Sequence, residues 1–517
     1  MKLFRSGFVF VLALAAFCFT QQAEAVQKIA AHRGASSFAP ENTLAAFSAS
    51  AGYSEYVELD VHKSADGELV VIHDDTVDRT TNGTGSVASM TLAQLKALDA
   101  GVKADALFTG QTIPTLAEAI NAIRGQGMKI LIERKSASVS AADINNALIA
   151  LNAKNDVMVQ AFDWSFITAL RALDATLPLG VLGDQVIDAT AIANAQAAGA
   201  NMMAYAYTRI DAPAVAAVHA AGMEIYAWTV MGGNTQVMAD LGCDGLITND
   251  PRLAADVLGR NTYSINTIGN GLISYWELDS SSAMDSRGTN HGTPVGAPTW
   301  LTGANAMFGG AIAVNGTDQR IDIPNSTSMD IGTNAVTLSL WVKLGVMPAA
   351  QPINYAGIFD AALDCYVIYG DKPNLELRSK ISSGSHAARP GIPAAALNTT
   401  TWHHVVTTYD ATWGALAGEV RIYLDGKLMD AHIGNDASSG IIPKGMTGVV
   451  KPGQVSAIGA NGGTPTGSYF QGAVDDAALW SRSMGQSEVA AIYNAGRNEA
   501  KPLGDLLAAS VPDWSMY

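Results

Sequence analysis

Ile29-Ala30-Ala31-His32-Arg33-Gly34 opens a segment that runs on through Pro40-Glu41-Asn42-Thr43, Val57-Glu58-Leu59-Asp60-Val61 and Val70-Val71-Ile72-His73-Asp74. Short apolar runs of this kind read as buried strands, each with polar residues at or just past its end, and a helical segment separates the first two. Residues two apart on a strand share a face. Glu58 and Asp60 therefore point the same way, a carboxylate pair suited to a hard divalent cation. His32 and His73 each close a strand, the place where parallel barrels hold their reactive groups. Two imidazoles and two carboxylates around one pocket point to metal-assisted acid–base chemistry on a phosphate or carbonyl centre.

Outward from this segment, strand-like and helix-like runs alternate as far as about Gly259. Lys129 to Glu133, Val157 to Phe162, Leu179 to Leu182, Met202 to Tyr205, Glu224 to Val230 and Gly245 to Thr248 read as strands. Ala141 to Asn155 and Phe166 to Ala175 read as helices, and several Ala-rich helices end at a glycine: Gly199, Gly222 and Gly242. Strands at Ile29, Val57, Ile130, Val157, Leu179, Met202, Ile225 and Leu246 make eight βα units, the count of a (β/α)8 barrel. A doubly wound sheet has no reason to stop there, and no Gly-rich dinucleotide loop follows the first strand. The barrel makes its own demand, polar residues at the carboxyl ends of strands. Glu133 and Lys135, Gln160 with Phe162 and Asp163, Trp228 with Thr229, and Thr248-Asn249-Asp250 meet it.

The ordered set, continued by Asp78-Arg79-Thr80-Thr81-Asn82-Gly83, Ile113-Pro114-Thr115-Leu116, Glu133-Arg134-Lys135, Trp228-Thr229-Val230 and Gly245-Leu246-Ile247-Thr248, resembles the glycerophosphodiester phosphodiesterases over about Lys28 to Gly259. The resemblance implies that Glu58, Asp60 and Glu133 hold one Ca²⁺ or Mg²⁺, and that His32 and His73 serve as general acid and base. It further implies that Arg33 and Lys135 hold phosphate oxygens and that Phe162 and Trp228 line the glycerol side. By the same analogy the attacking oxygen is the substrate's own neighbouring glycerol hydroxyl, and water then opens a cyclic phosphate. Met231 and Asn249 depart from the family pattern, where Asn and often Asp stand. Plainer readings stand beside these: His62, Asp244 and Asp250 as structural residues, Trp228 as core packing, and Glu41 as the opening residue of a helix, whose positive end favours a carboxylate, although the resemblance places Glu41 near the site.

A chain of 517 residues exceeds one ordinary core, so two domains are expected. A net charge of −16 with 15% charged residues argues against a nucleic-acid partner, which wants a basic face. It leaves an anionic diester open, because a bound cation reverses the local field. Lys2 and Arg5, the apolar run Phe8 to Phe19 and Ala23-Glu24-Ala25 form a secretory signal over 1–25 with a mature start at Val26. Cys18 offers a lipoprotein alternative, against which Phe17 stands where a small residue is needed. The run is too short to span a bilayer and no later segment is apolar for long enough, so an exported protein without a transmembrane segment is expected. Cys243 and Cys365 read as buried thiols.

After residues 26–260 the Ala-rich texture stops, and 261–271 reads as a polar linker. Short alternating strands follow, among them Leu272 to Trp276, Ile312 to Val314, Val336 to Val342, His403 to Tyr409 and Glu419 to Leu424, the pattern of an all-β sandwich. Tyr275-Trp276-Glu277-Leu278-Asp279, Leu338-Ser339-Leu340-Trp341-Val342, Trp402-His403-His404-Val405, Ile422-Tyr423-Leu424-Asp425-Gly426-Lys427 and Phe470-Gln471-Gly472-Ala473-Val474-Asp475-Asp476 resemble a laminin-G-like, concanavalin A-like jelly roll over 272–497, with a tail at 498–517. Trp341, Trp402 and Tyr423 are expected in strand cores, and Asp425-Gly426 at a hairpin turn. Asp279 and Asp475 read either as solvated acids or, as in some relatives, as ligands of a structural Ca²⁺. Such modules bind glycans, lipids or cell-surface proteins, and the fold alone does not choose. The leading expectation is a metal-dependent hydrolase of small glycerophosphodiesters with a targeting module. Lysophospholipids or glycerophosphate polymers are the alternative substrates, and a surface adhesin with an inactive barrel is the alternative class.

Overall fold

The computed structural model describes residues 27–104, 108–260, 268–324, 326–329, 335–361, 366–371, 376–383, 386–411, 418–433, 435–436, 440–441, 455–460 and 468–509. The expected signal segment with Cys18, most of the linker, Cys365 and the last eight residues lie outside them. Nine strands build the first half: β1 (Lys28–Ala31), β2 (Tyr56–Lys63), β3 (Leu69–Val71), β4 (Lys129–Arg134), β5 (Val157–Ala161), β6 (Leu179–Gly183), β7 (Met202–Ala206), β8 (Glu224–Val230) and β9 (Gly245–Thr248). All but β3 run parallel, in the ring β1-β9-β8-β7-β6-β5-β4-β2, and the pairing of β1 with β2 closes it. The remaining strand, β3, folds back antiparallel on β2 with Val61 opposite Val71.

The barrel is closed because both faces of its strands are apolar below their carboxyl ends. Ala30, Leu131, Met158, Leu182, Met202, Ala204, Tyr226 and Ile247 fill the interior. Val57, Leu59, Ile130, Ile132, Val159, Ile225 and Leu246 point outward under the helices. The interior parity continues upward into chemistry, since two residues beyond Ala30 comes His32, beyond Leu131 Glu133, beyond Tyr226 Trp228 and beyond Ile247 Asn249.

The helices are α1 (Leu44–Ala49), α2 (Leu92–Lys96), α3 (Leu116–Arg124), α4 (Ala141–Ala150), α5 (Trp164–Leu173), α6 (Ala189–Ala197), α7 (Ala212–Ala220), α8 (Asn234–Asp240) and α9 (Pro251–Val257). Side-chain caps start most of them, with capping boxes at Thr115–Glu118 and Ser140–Asp143. Gly199, Gly222 and Gly242 follow the ends of α6, α7 and α8 at φ of 79°, 76° and 81°, the left-handed turn that stops a helix. Among the described residues no helix is long and apolar enough to cross a membrane. Cys243 is a buried free thiol.

The second half is a sandwich of two antiparallel sheets. One runs Thr299–Thr302, Gly310–Asn315, Gln471–Trp480, Ala335–Leu344, His403–Asp410, Glu419–Leu424, Lys427–Ile433, with Leu272–Trp276 paired to Gln471–Trp480. The other is built on Thr293–Val295, Arg320–Pro324, Val455–Ile458, Tyr355–Ala361, Tyr366–Asp371, Glu376–Ser383 and His386–Ala388. Asp425 and Gly426 make the expected tight turn, at φ of 51° and 82°. Trp341 and Tyr423 are buried as expected, whereas Trp402 stops one residue short of its strand and is half-buried. Helical structure continues into the segment expected as a tail. Helices α10 (Gln486–Glu499) and α11 (Leu503–Ala509) follow the last strand, and Leu503, Leu506 and Leu507 pack beside Trp480 and Tyr423. That cluster includes Leu253 of α9, while the neighbouring Ala254 and Ala255 belong to the barrel core.

Candidate active site

Three elements converge at the carboxyl end of the barrel. From β2 come Glu58 and Asp60, both fully buried, and from β4 comes Glu133. Their carboxylate oxygens lie within 4.8 Å of one another. The loop after β1 crosses above them in a conformation with Arg33 at φ 56° and Gly34 at φ 81°. A β-carbon at Gly34 would stand 2.6 Å from the backbone of Ala46, so glycine lets this loop lie on α1. The turn aims the Arg33 N–H at Glu58 Oε2, 2.8 Å away, and its Nε toward Asp60 Oδ2 at 3.4 Å. Asn42, itself at φ 57°, donates Nδ2–H to the same Asp60 oxygen at 2.7 Å.

Glu58 Oε1 and Asp60 Oδ1 are buried and make no hydrogen bond. Burial, then the charges of Asp60 and Glu133, push the Glu58 carboxyl well above the usual carboxylate range. Burial and Asp60 push Glu133 up to about 7. Buried carboxylates crowded this way are satisfied either by protons or by a cation. An all-oxygen cluster with unmatched lone pairs fits one hard divalent ion.

The imidazoles come from just past the ends of β1 and β3. His32 donates Nδ1–H to Asn249 Oδ1 at 2.6 Å, which leaves Nε2 for the pocket. Burial, followed by the Arg33 charge, lowers its pKa to about 4. His73 arrives on the β3 hairpin instead of a barrel strand, held by Ile72 N–H on Asp60 O at 3.0 Å and by His62 Nε2–H on its own carbonyl at 3.1 Å. Its Nδ1 pairs with Asp74 Oδ1 at 2.6 Å, and Lys135 Nζ donates to its Nε2 at 3.0 Å and to Glu133 Oε1 at 2.7 Å. Burial works against the Lys135 charge, but Glu133 and Asp60 more than offset it and raise the pKa. His62, read from sequence as structural, positions the His73 backbone.

Glu41 does not open a helix. Thr43 caps α1, whose first turn carries no acid. Glu41 instead accepts from Arg33 Nη1 at 2.9 Å and from both ends of the Arg79 guanidinium at 2.6 and 2.8 Å. Arg79 grips Asp74 as well, through Nε at 2.7 Å and Nη2 at 3.0 Å, and that contact chiefly holds the Asp74 carboxyl far below its usual range. One guanidinium thus ties the carboxylate behind His73 to the carboxylate behind Arg33. The sequence signal was present in the Asp-Arg-Thr-Thr run, but spacing alone assigns it no partner.

Phe162 and Trp228 meet edge to face, 5.7 Å between ring centroids, with Phe162 49% exposed. Trp228 donates Nε1–H to Ala204 O at 2.9 Å and stays partly open, so it forms a wall of the mouth as well as packing on the interior.

The glycerophosphoryl diester phosphodiesterase family matches residues 32–253, and the concanavalin A-like lectin/glucanases superfamily matches residues 315–490. A glycerophosphodiester phosphodiesterase of Caldanaerobacter subterraneus subsp. tengcongensis is 35% identical over 233 residues, which covers 43% of this chain and 94% of that protein. One from Bacillus subtilis is 30% identical over 249 residues, covering 43% of this chain and 83% of its own length. The crystal structure of glycerophosphodiester phosphodiesterase from Agrobacterium tumefaciens is 30% identical, with a TM-score of 0.41, over 44% of this chain and 99% of that one.

Proposed function

The chain belongs to the glycerophosphodiester phosphodiesterase family, which are phosphoric diester hydrolases, and from that premise we propose that it cleaves glycerophosphodiesters to glycerol 3-phosphate and an alcohol. The observation that carries this reading is the set of unmatched buried oxygens on Glu58 and Asp60, flanked by His32 and His73. Glu58, Asp60 and Glu133 would hold one Ca²⁺ or Mg²⁺, which would offset the charge of the diester and of its transition state. Arg33 and Lys135 add fixed positive charge on the same side and orient the phosphate oxygens. One imidazole takes the proton of the attacking glycerol hydroxyl and the other protonates the leaving alkoxide, which departs poorly as an anion. Water then opens the cyclic phosphate with the two roles exchanged. Phe162 and Trp228 would bound the glycerol.

A second substrate reading has its own support. Phe162, Val186 and Met231 are 49%, 67% and 46% exposed on loops at the carboxyl ends of β5, β6 and β8. An apolar rim of this kind favours diesters that carry an acyl chain, such as lysophospholipids.

The sandwich would bind a glycan, lipid or cell-surface ligand. A structural Ca²⁺ between Asp279 and Asp475 fits two further buried oxygens without hydrogen bonds, Oδ1 of each. Burial pushes Asp475 up to about 8 in its absence. Export with a mature start at Val26 completes the proposal. The test is glycerol 3-phosphate release from a panel of glycerophosphodiesters and lysophospholipids, with Ca²⁺, Mg²⁺ or chelator, beside His32→Ala and Glu58→Ala. Metal-dependent turnover that vanishes in both variants is expected. Turnover that survives chelator and both substitutions would remove this site from the reaction.

A further inference from the structure

The sandwich is joined to the barrel through α9, the helix that begins two residues after Asn249. Leu253 of α9 is packed among Tyr423, Leu428 and Trp480 of the second domain. Arg421, fully buried in the strand Glu419–Leu424, donates Nη1–H to Asp256 Oδ2 at 2.6 Å and Nε–H to Glu419 Oε1 at 3.0 Å. Asp250 caps the same helix, accepting from Leu253 N–H at 2.9 Å, and its buried carboxyl faces Glu419 and Arg421. A helix of seven residues is thus held at its first turn and near its last by one strand of the other domain.

A second contact reaches the same point. Gly232 and Gly233, in the loop after β8, lie on the strand Lys427–Ile433. A β-carbon at Gly233 would stand 1.7 Å from Met429 O, and one at Gly232 3.2 Å from Ala431 O. Met231, next in the chain, accepts Asn249 Nδ2–H on its sulfur at 3.6 Å. Both segments pressed by the sandwich therefore border Asn249, the residue whose amide oxygen fixes the ring of His32.

We propose that the sandwich takes part in the barrel's reaction: Glu419 and Arg421 hold α9, and α9 holds Asn249 where it keeps His32 in register. Asn249 and Arg421 are positioning residues, the first in contact with His32 and the second acting through α9. The inference rests on the role given to His32 above. Within the barrel, Asn249 has its backbone oxygen on Ser37 N–H at 3.1 Å, and Thr248 has its oxygen on His32 N–H at 2.8 Å. Both donors belong to the loop that carries His32, whereas Thr248 itself is paired in the barrel with Ala31 of β1 and Val230 of β8. The barrel thus fixes the chain just before Asn249, and the sandwich, through α9, fixes it just after.

The test uses the full chain, a small glycerophosphodiester and the divalent ion that best supports turnover, with kcat and KM measured separately. Asn249→Ala should lower kcat about 10–100-fold, as loss of an orienting partner does, with KM little changed. Asn249→Asp, which restores an oxygen acceptor, should recover most of it. Arg421→Gln should lower kcat with KM little changed, and the double variant Arg421→Gln/Asn249→Ala should fall no further than Asn249→Ala alone. Lys427→Ala, which removes only the exposed pair with Asp240 at the edge of the interface, should leave kcat as it is. Wild-type kcat in folded Arg421→Gln, or losses that simply multiply in the double variant, would overturn the proposal. Asp256→Asn is judged by the same two criteria if Arg421→Gln does not fold. His32→Ala separates the two readings. If it retains turnover the site assignment itself fails, and if it is inactive while Arg421→Gln is unimpaired, this inference alone fails.

Discussion

Two groups of three buried carboxylates lie in this molecule, Glu58, Asp60 and Glu133 in the barrel mouth and Asp250, Asp256 and Glu419 between the domains, all of them less than a tenth exposed. They differ in what neutralises them. The second group has a covalent cation in its midst, the fully buried guanidinium of Arg421. Around the first group Arg33 and Lys135 stand at the edge, each side chain 18% exposed; Glu58 Oε1 and Asp60 Oδ1 make no hydrogen bond there, against Asp250 Oδ2 alone in the second group. A charge supplied by the chain turns acids into a strut. A charge that must come from solution turns the same acids into a site.

The contrast breaks first at the imidazoles. Either His32→Ala or His73→Ala should reduce kcat by about 10²–10⁴ and leave the melting temperature nearly unchanged, checked by steady-state kinetics beside calorimetry. Arg421→Gln should do the reverse to stability, costing about 3–5 kcal/mol in urea unfolding, because it leaves buried carboxylates uncompensated. Those acids escape the penalty only by binding protons, so the cost should grow between pH 5 and pH 8. A penalty independent of pH would show that the strut is not ionic.

The cation itself sharpens the comparison. Without metal, Glu133 and Glu58 have folded pKa values raised above their unfolded ones. Their stabilising contribution is complete below about pH 4.5 and, for Glu133, is lost as pH rises through about 7. A divalent ion replaces those protons, so Ca²⁺ or Mg²⁺ should raise the melting temperature more at pH 8 than at pH 5. At a hundredfold excess over Kd the gain is about 2.7 kcal/mol. Equal shifts at both pH values would place the ion elsewhere. The smallest effect is expected at the wall of the mouth, where Phe162→Ala should weaken transition-state binding by about 1 kcal/mol, read from kcat/KM.

What could be read from sequence follows from the range of the forces involved. Glu58 and Asp60 were legible because alternation on one strand puts them on one face, and His32, Glu133 and Trp228 because the same parity carries interior rows up to the rim. Glu41 was not. Its position just ahead of a helix suggested the helix end, while its partners are Arg33, at the start of the same loop, and Arg79, from another. Helix α11 falls in the segment read as a tail, since seven residues carry little pattern of their own and its leucines find their partners on distant strands. Arg421 carries no local signal at all. It is an arginine in an alternating strand, and Asp256 lies 165 residues away.

The strand Gln471–Trp480 gives the molecule a particular history as well as a shape. It pairs with Gly310–Asn315, Ala335–Leu344 and Leu272–Trp276, so the middle of its sheet is the last strand made. Contacts so far apart in the chain form slowly. A nascent chain that has released the barrel and most of the sandwich still holds two separated halves of a sheet, with their inner edges open. Only when Trp480 has emerged can the sheet join, bury Leu253 of α9 and set the brace on the barrel. With the coupling proposed above, competence of the first domain is in this sense dated by the end of the second.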